Sequence, residues 1–154
     1  MIDAPEIVET VARDTAAIHL IIPKSEIRSV MGPAIAEVLA AVAAAGLTPA
    51  GPLFSHHHRI RPEGWDFEVG VPVEGVFTAS GRVRPGRLRA ATVARTIYRG
   101  PYEGLGEGWG ALMKWIEQSG HEPAEDLWEV YAAGPESSPD PAEWRTELNR
   151  PLVR

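Results

Sequence analysis

The segment WDFEVGVPV, at residues 65–73, recurs in altered form as WRTELNRPL at residues 144–152. Three residues of the two segments coincide at an offset of 79: Trp65 with Trp144, Glu68 with Glu147, and Pro72 with Pro151. Both segments have the length and the apolar pattern of a strand. We therefore interpret them as the closing strands of a duplicated unit.

A second set of matches, upstream of these segments, supports the duplication. AAGLTPAGPLFSHH, at residues 44–57, resembles EQSGHEPAEDLWEVY, at residues 117–131, at an offset of 74. The matched pairs are Gly46 with Gly120, Pro49 with Pro123, Leu53 with Leu127, and Phe54 with Trp128. Ala16–Ala17 also matches Ala90–Ala91 at 74, and the longer loop AGPESSPDPAE, at residues 133–143, explains the larger offset beyond it. Three blocks in one order with a single insertion indicate an internal repeat.

Each copy predicts a strand, a helix and two further strands. The helices are expected at residues 27–45 and 102–118, where apolar residues recur at intervals of three and four. Gly46 and Gly120 follow these segments and are natural helix stops. The strands are expected at residues 5–12, 16–22, 52–60 and 65–73 in the first copy, and at 87–98, 127–133 and 145–152 in the second.

These elements predict a single α+β domain over residues 1–154, with two tandem βαββ repeats at about 1–80 and 81–154. We expect pseudo-twofold symmetry, an antiparallel-rich sheet and both helices on one face of it. The halves should meet on the opposite face, where we expect a central ligand cleft.

The composition is that of an ordinary globular protein without cysteine, which excludes disulfides and thiolate chemistry. Its 21 acidic and 15 basic residues give a net charge of -6, which argues against nucleic acid as a direct partner. The longest apolar window, AIAEVLAAVAAAGL, contains Glu37 and is too short to span a membrane. No secretory signal is recognisable at the start, so we expect a cytoplasmic protein with no membrane partner.

The segment DLWEVYAAGP, at residues 126–135, contains the main candidate for a binding residue, Glu129. Glutamate is uncommon in strands and costly when it is buried without a partner. Because strand side chains alternate, we expect Trp128, Val130 and Ala132 under the helices, and Glu129 and Tyr131 on the open cleft side. On the same side we place their repeat counterparts and the polar residues of the closing strands: Ser55, His57, Glu68, Glu147 and Asn149.

These carboxylates and aromatic groups together predict a pocket for a flat, apolar, partly cationic molecule. The alternative for Glu68 and Glu147 is that each is a solvated strand residue.

The three blocks YRGPYEGLGEGWGALMKWI, WEVYAAGP and WRTELNRPL resemble the GyrI-like domain, which is also the effector-binding domain of AraC-type and MerR-type regulators. The resemblance implies two βαββ repeats around a cleft that binds lipophilic, often cationic compounds. It implies that Glu129 is the cleft glutamate, with Tyr131 beside it, Tyr102 at the rim and Trp109 on the helix. The family's acid and aromatic residue on the last strand fall on Glu147 and Asn149, so an amide replaces the aromatic ring.

Two other functions remain open. Some stand-alone members of the resembled family hydrolyse cyclopropane rings of DNA-alkylating natural products, which would give catalytic roles to Glu129 and Tyr131 with Trp109 nearby. The family name also suggests modulation of a protein partner such as DNA gyrase. We expect no DNA-binding segment in the chain, and both a monomer and a homodimer are compatible with the sequence.

The run His56–His57–His58 raises the question of a metal site. Neighbouring strand residues point to opposite faces, so the three cannot bind one ion together. His56 and His58 could share a face, but the sequence offers no acid or further histidine at a fitting spacing. We therefore expect neither a metal nor a cofactor, and expect His57 to contact the ligand.

Overall fold

The computed structural model describes residues 1–135 and 137–153. The chain divides into two compact units. The first unit comprises residues 11–90, and the second comprises residues 1–10 and the chain from residue 91 onward. The strands are β1 (Glu6–Glu9), β2 (Arg13–Pro23), β3 (Phe54–Ile60), β4 (Gly64–Pro72), β5 (Arg84–Leu88), β6 (Thr92–Arg99), β7 (Leu127–Ala133) and β8 (Arg145–Pro151); the helices are α1 (Ile27–Ala44) and α2 (Leu105–Gln118).

In the first unit the strands lie in the order β3-β4-β2-β5, and every neighbouring pair is antiparallel. The apolar side of α1 covers one face of this sheet because its buried residues Val38 and Val42 pack on Phe67, Val69 and neighbouring core residues. Removal of this apolar surface from water is the main source of stability of the unit.

The second unit repeats the arrangement with the strand order β7-β8-β6-β1, again antiparallel throughout. Leu112 and Ile116 of α2 pack on Tyr98 of β6 and Leu148 of β8. The expectation of an α+β fold with two βαββ repeats is confirmed. Among the described residues, neither helix combines the length and the apolar character that crossing a bilayer demands.

Strand register confirms the two larger blocks of the repeat. In the first unit Phe54 pairs with Gly70, and in the second Trp128 pairs with Asn149, as offsets of 74 and 79 require. The matched prolines have a shared role: the N–H of Ala50 donates to the carbonyl of Pro72, and that of Ala124 donates to the carbonyl of Pro151, both at 2.8 Å.

The matched glycines end the two helices in the same way. Gly46 and Gly120 have φ angles of 76° and 77°, a backbone conformation that residues other than glycine rarely adopt. After α1 the N–H of Gly46 donates to the carbonyl of Ala43, and the N–H of Leu47 to that of Val42. The same pair of hydrogen bonds follows α2, which makes both ends Schellman motifs.

The third block of the predicted repeat is wrong. Ala90 and Ala91 lie between β5 and β6, outside any strand, and Ala16 pairs with Val71 as Ala94 pairs with Arg150. The offset is therefore 78 before the helix and 74 after it, so α1 is one turn longer than α2. The expected single strand at 87–98 is also two strands, β5 of the first unit and β6 of the second.

Candidate functional site

The carboxylate of Glu129 lies on the face of the second unit's sheet that α2 covers. Glu129 on β7 is paired with Leu148 on β8, and residues paired across strands share a face. Leu148 belongs to the core formed with α2. The side chain of Glu129 is therefore held between the sheet and the helix, where it is half-buried.

Two neutral donors hold the two oxygens of this carboxylate. The indole Nε1–H of Trp109, on α2, donates to Oε2 of Glu129 at 2.6 Å. The hydroxyl of Tyr131 donates to Oε1 at 2.9 Å. Each carboxylate oxygen can accept two hydrogen bonds, so the carboxylate retains acceptor capacity for another group.

Two more aromatic side chains complete the surroundings. The ring of Tyr102, which precedes α2, lies 6.1 Å from that of Tyr131 in an edge-on arrangement. The ring of Trp144, which precedes β8, lies 5.1 Å from that of Tyr102. We call Glu129, Trp109, Tyr131, Tyr102 and Trp144 the Glu129 cluster; all five belong to the second unit.

Burial dominates the electrostatics of the cluster. Desolvation raises the pKa of Glu129, and the hydrogen bonds from Trp109 and Tyr131 oppose that rise only in part. Within the described part of the chain, no cationic side chain forms an ion pair with Glu129. A carboxylate that has neutral donors and aromatic neighbours, but no ion pair with a described cationic side chain, is suited to bind a cationic or hydrogen-bond-donating ligand.

The prediction that Glu129 points away from the helices is wrong. The prediction assumed that Trp128 and Val130 pack under α2, but these residues are paired with Asn149 and Glu147 on the other face. Both Leu127 and Trp128 are buried, so hydrophobicity alone gave no basis for choosing between the two alternations. Glu129, Tyr131, Tyr102 and Trp109 nevertheless lie together, as the sequence predicted.

Glu147 and Asn149 form a separate group on the face away from α2. Arg95 donates to Oδ1 of Asn149 at 2.7 Å and lies 3.5 Å from the carboxylate of Glu147. The amide of Asn149, which is fully buried, also donates to Glu147 at 3.1 Å. These two predicted site residues are therefore held by an arginine rather than by the aromatic groups around Glu129.

The first unit contains the repeat counterparts of Glu129 and Tyr131. Ser55 and His57 lie on the face that α1 covers, and Oγ of Ser55 is 3.5 Å from Nε2 of His57. The imidazole of His57 stacks on Phe67 at 4.9 Å. Burial lowers the pKa of His57 to about 4, so the ring is neutral at physiological pH.

Glu68 lies on the other face of the first unit, beside histidines. Its Oε1 is 3.1 Å from Nε2 of His58. The expectation that no acid supports His56 and His58 is wrong. Glu68 lies beside them on the neighbouring strand β4, and Asp66 lies two residues before Glu68 on the same face. This arrangement depends on strand pairing, which spacing along the chain does not reveal.

Two open pockets lie at the C-terminal ends of the helices, in equivalent places of the two repeats. One, of about 410 Å³, is lined by residues 46–50 and Glu74. The other, of about 650 Å³, is lined by residues of α2 and by residues 120–123. Neither pocket is lined by members of the Glu129 cluster.

Sequence reasoning missed four residues that take part in these groups: Trp144, Arg95, His19 and Asp66. The match of Trp144 with Trp65 was the available signal for the first. The other three are ordinary strand residues, and only the strand register brings them to their partners.

Comparisons with known proteins agree with this architecture. A family model described as the GyrI-like small molecule binding domain matches residues 3–152. No curated protein sequence matches the chain. The structure is similar to the EcmrR C-terminal domain, with 24% identity, a TM-score of 0.86 and 98% of both chains covered. Against EcmrR in its complex with DNA the chain spans 57% of the longer protein.

Two further solved structures share the fold. One is SAV2435 bound to tetraphenylphosphonium, with 9% identity, a TM-score of 0.70, and coverage of 97% of this chain and 94% of that one. The other is a hydrolase from Listeria innocua, with 12% identity, a TM-score of 0.63, and coverage of 97% and 91%. At these identities the likeness establishes the fold alone.

Proposed function

Because the chain belongs to the GyrI-like small molecule binding domain family, we propose that it binds lipophilic organic cations at the Glu129 cluster. The aromatic rings would contact the apolar body of the compound, and the carboxylate of Glu129 would face its positive charge. Of the other predicted ligand-binding residues, Glu147 and Asn149 would not contact the compound, since they lie on the opposite face of the sheet.

The observation that carries the proposal is the state of the Glu129 carboxylate. It is half-buried and bound by two neutral donors, and it lacks a cationic partner among the described side chains. An unpaired charge in such surroundings is costly, and a bound cation would offset the cost. Aromatic faces attract the same cations, which adds roughly 0.5–2 kcal/mol for each well-placed ring.

Tetraphenylphosphonium is a suitable probe because it is lipophilic, permanently charged and bound by SAV2435, a protein of similar fold. We expect isothermal titration to give one site per chain. Glu129→Gln should weaken binding by about tenfold, which is ~1.4 kcal/mol. Triphenylphosphine oxide, a neutral analogue, should bind more weakly and should respond little to the substitution.

Glu147→Gln is the matched control. It removes the same charge from a neighbouring strand, but its carboxylate lies on the opposite face with Arg95 and Asn149. We expect its affinity for tetraphenylphosphonium to be close to that of the unaltered protein. Equal affinities in Glu129→Gln and the unaltered protein, with both folded, would remove the assigned role of Glu129.

The raised pKa of Glu129 favours a second function, hydrolysis of an electrophilic cyclopropane conjugated to a carbonyl. Glu129 would take a proton from a water molecule, whose oxygen bonds to a ring carbon. The ring carbon–carbon bond breaks, its electron pair passes to the carbonyl oxygen, and that oxygen takes up the proton that Glu129 removed, so the substrate gains one water and the carboxylate is restored. The hydroxyl of Tyr131, 2.9 Å from Glu129, would be a donor near the reacting groups.

Mass spectrometry distinguishes the two functions. A spirocyclopropyl dienone incubated with the protein should be recovered intact if the protein only binds it. A gain of one water that disappears in Glu129→Gln, but persists in Glu147→Gln, would establish the hydrolase.

A further inference from the structure

We propose that the first unit binds a divalent transition-metal ion of the zinc class on the sheet face away from α1, with His58 as the central ligand. Two groups of side chains surround this position: His19 and Asp66 with His58, and His56 and Glu68 with His58. Within each group the candidate ligand atoms all lie within 4.8 Å of one another.

Strand register explains why these residues meet. His19 on β2 and His56 on β3 are both paired with Glu68 on β4, so the three lie side by side across three strands. Asp66 lies two residues from Glu68 on β4 and therefore shares its face. Three adjacent strands thus each contribute at least one potential ligand.

A bulge in β3 adds a third imidazole, that of His58, to this face of the sheet. His57 is paired with Phe67 and Arg59 with Asp66, so His58 is an extra residue in β3. His58 lies close to its neighbours: its ring centroid is 4.8 Å from that of His56 and 5.3 Å from that of His19. The bulge re-aims His58 while His57 stays on the face covered by α1.

The ligand atoms are close to the spacing that one ion requires. Imidazole nitrogens and carboxylate oxygens bind zinc at about 2.0–2.2 Å, which places tetrahedral ligands roughly 3.3 Å apart. Nε2 of His19 is 2.6 Å from Oδ1 of Asp66, and Nε2 of His58 is 3.1 Å from Oε1 of Glu68. Small side-chain rotations would bring the remaining atoms into range.

The cluster is also accessible. The side chain of His19 is 49% exposed and that of His58 is 34% exposed, so an ion can enter from solvent. Asp66 and Glu68 are less exposed and supply the negative charge that a divalent cation needs. The guanidinium of Arg59, 3.7 Å from Asp66, is the competing cation and would turn outward when an ion binds.

The test is a titration of the full chain with Zn²⁺ at pH 7.5, in competition with a chromogenic chelator. We expect one Zn²⁺ per chain, at least tenfold weaker binding in His58→Ala, and a Zn²⁺-induced rise in melting temperature that this variant loses. His19→Ala, at an exposed position, should weaken binding as well and serves if His58→Ala folds poorly.

His121→Ala is the matched control, because His121 follows α2 in the second unit and belongs to neither candidate group. Its Zn²⁺ affinity should equal that of the unaltered protein. The proposal is overturned if the unaltered protein binds no Zn²⁺, or if His58→Ala and His19→Ala both retain its affinity. Equal losses in His121→Ala and His58→Ala would overturn it too, since they would indicate nonspecific histidine binding.

Discussion

At the scale of single residues, two glutamates on neighbouring strands show how surroundings decide a carboxylate's role. Glu147 is next to Arg95 and accepts a hydrogen bond from Asn149, so its charge is compensated within the protein. Among the residues that the structure describes, Glu129 has only neutral donors, and burial raises its pKa. Keeping Glu129 ionised therefore costs free energy, and a ligand that supplies positive charge would reduce that cost.

This difference predicts how stability depends on pH. The pKa of Glu129 is higher in the folded than in the unfolded state. As pH rises above about 4.5, the folded state therefore keeps more of its protons on Glu129 than the unfolded state does. The contribution of Glu129 to the free energy of unfolding therefore falls through that range. Glu129→Gln removes this loss, so its stability relative to the unaltered protein should increase with pH and then level off above the raised pKa.

Urea unfolding between pH 4 and 7.5 measures this effect. The amide can still accept from Trp109 and donate to Tyr131, so the variant should remain folded. A stability difference between Glu129→Gln and the unaltered protein that stays constant over the whole pH range would contradict the assignment.

At the scale of elements, both repeats have a bulge at the same place. β3 has one extra residue between His57 and Arg59, and β7 has one between Val130 and Ala133. In β7 the register shift spans Tyr131 and Ala132, and the hydroxyl of Tyr131 reaches Glu129. In β3 the bulge brings His58 to Glu68. The repeated bulge therefore positions side chains in both units.

Two glycines of helix α2 lead to a second prediction at the scale of elements, because one faces open space and the other faces a buried ring. A Cβ at Gly110 would meet nothing within 4 Å, whereas one at Gly108 would lie 2.9 Å from the buried ring of Tyr98. Gly110→Ala should stabilise the protein by about 0.5–1 kcal/mol, the helix-propensity difference. Gly108→Ala should destabilise it by roughly 1–3 kcal/mol through overpacking.

Thermal and urea unfolding of the two variants measure these changes in one experiment. Gly108→Ala differs from Gly110→Ala only in position, so it isolates packing from propensity. Stabilisation by both substitutions would show that Tyr98 can move away from α2, contrary to the close contact described above.

At the scale of the whole molecule, periodicity in the sequence predicted both helices and the strands around them, because those patterns depend on neighbours in the chain. The face of β7 was not predictable, since Leu127 and Trp128 are both buried and either alternation fits. Long-range pairing was equally hidden. β1 precedes β2 along the chain but pairs with β6, and His19 meets Glu68 only because β2 pairs with β4.

The net charge of -6 leads to a prediction for the whole molecule. An overall negative field attracts a cationic ligand from beyond contact distance, and salt screens that attraction over about 10 Å at 0.1 M. The association rate of tetraphenylphosphonium should therefore fall roughly three- to tenfold between 25 and 500 mM NaCl. The rate for the neutral triphenylphosphine oxide should stay nearly constant.

Stopped-flow measurements on Glu129→Gln separate this field from the local site. The substitution removes one of six net negative charges, so most of the salt dependence of the association rate should persist. The dissociation rate should rise instead, because the lost contact acts after the ligand has arrived. If the salt dependence vanished in Glu129→Gln but persisted in Glu147→Gln, attraction would originate at one carboxylate and the whole-molecule field would have no measurable part in it.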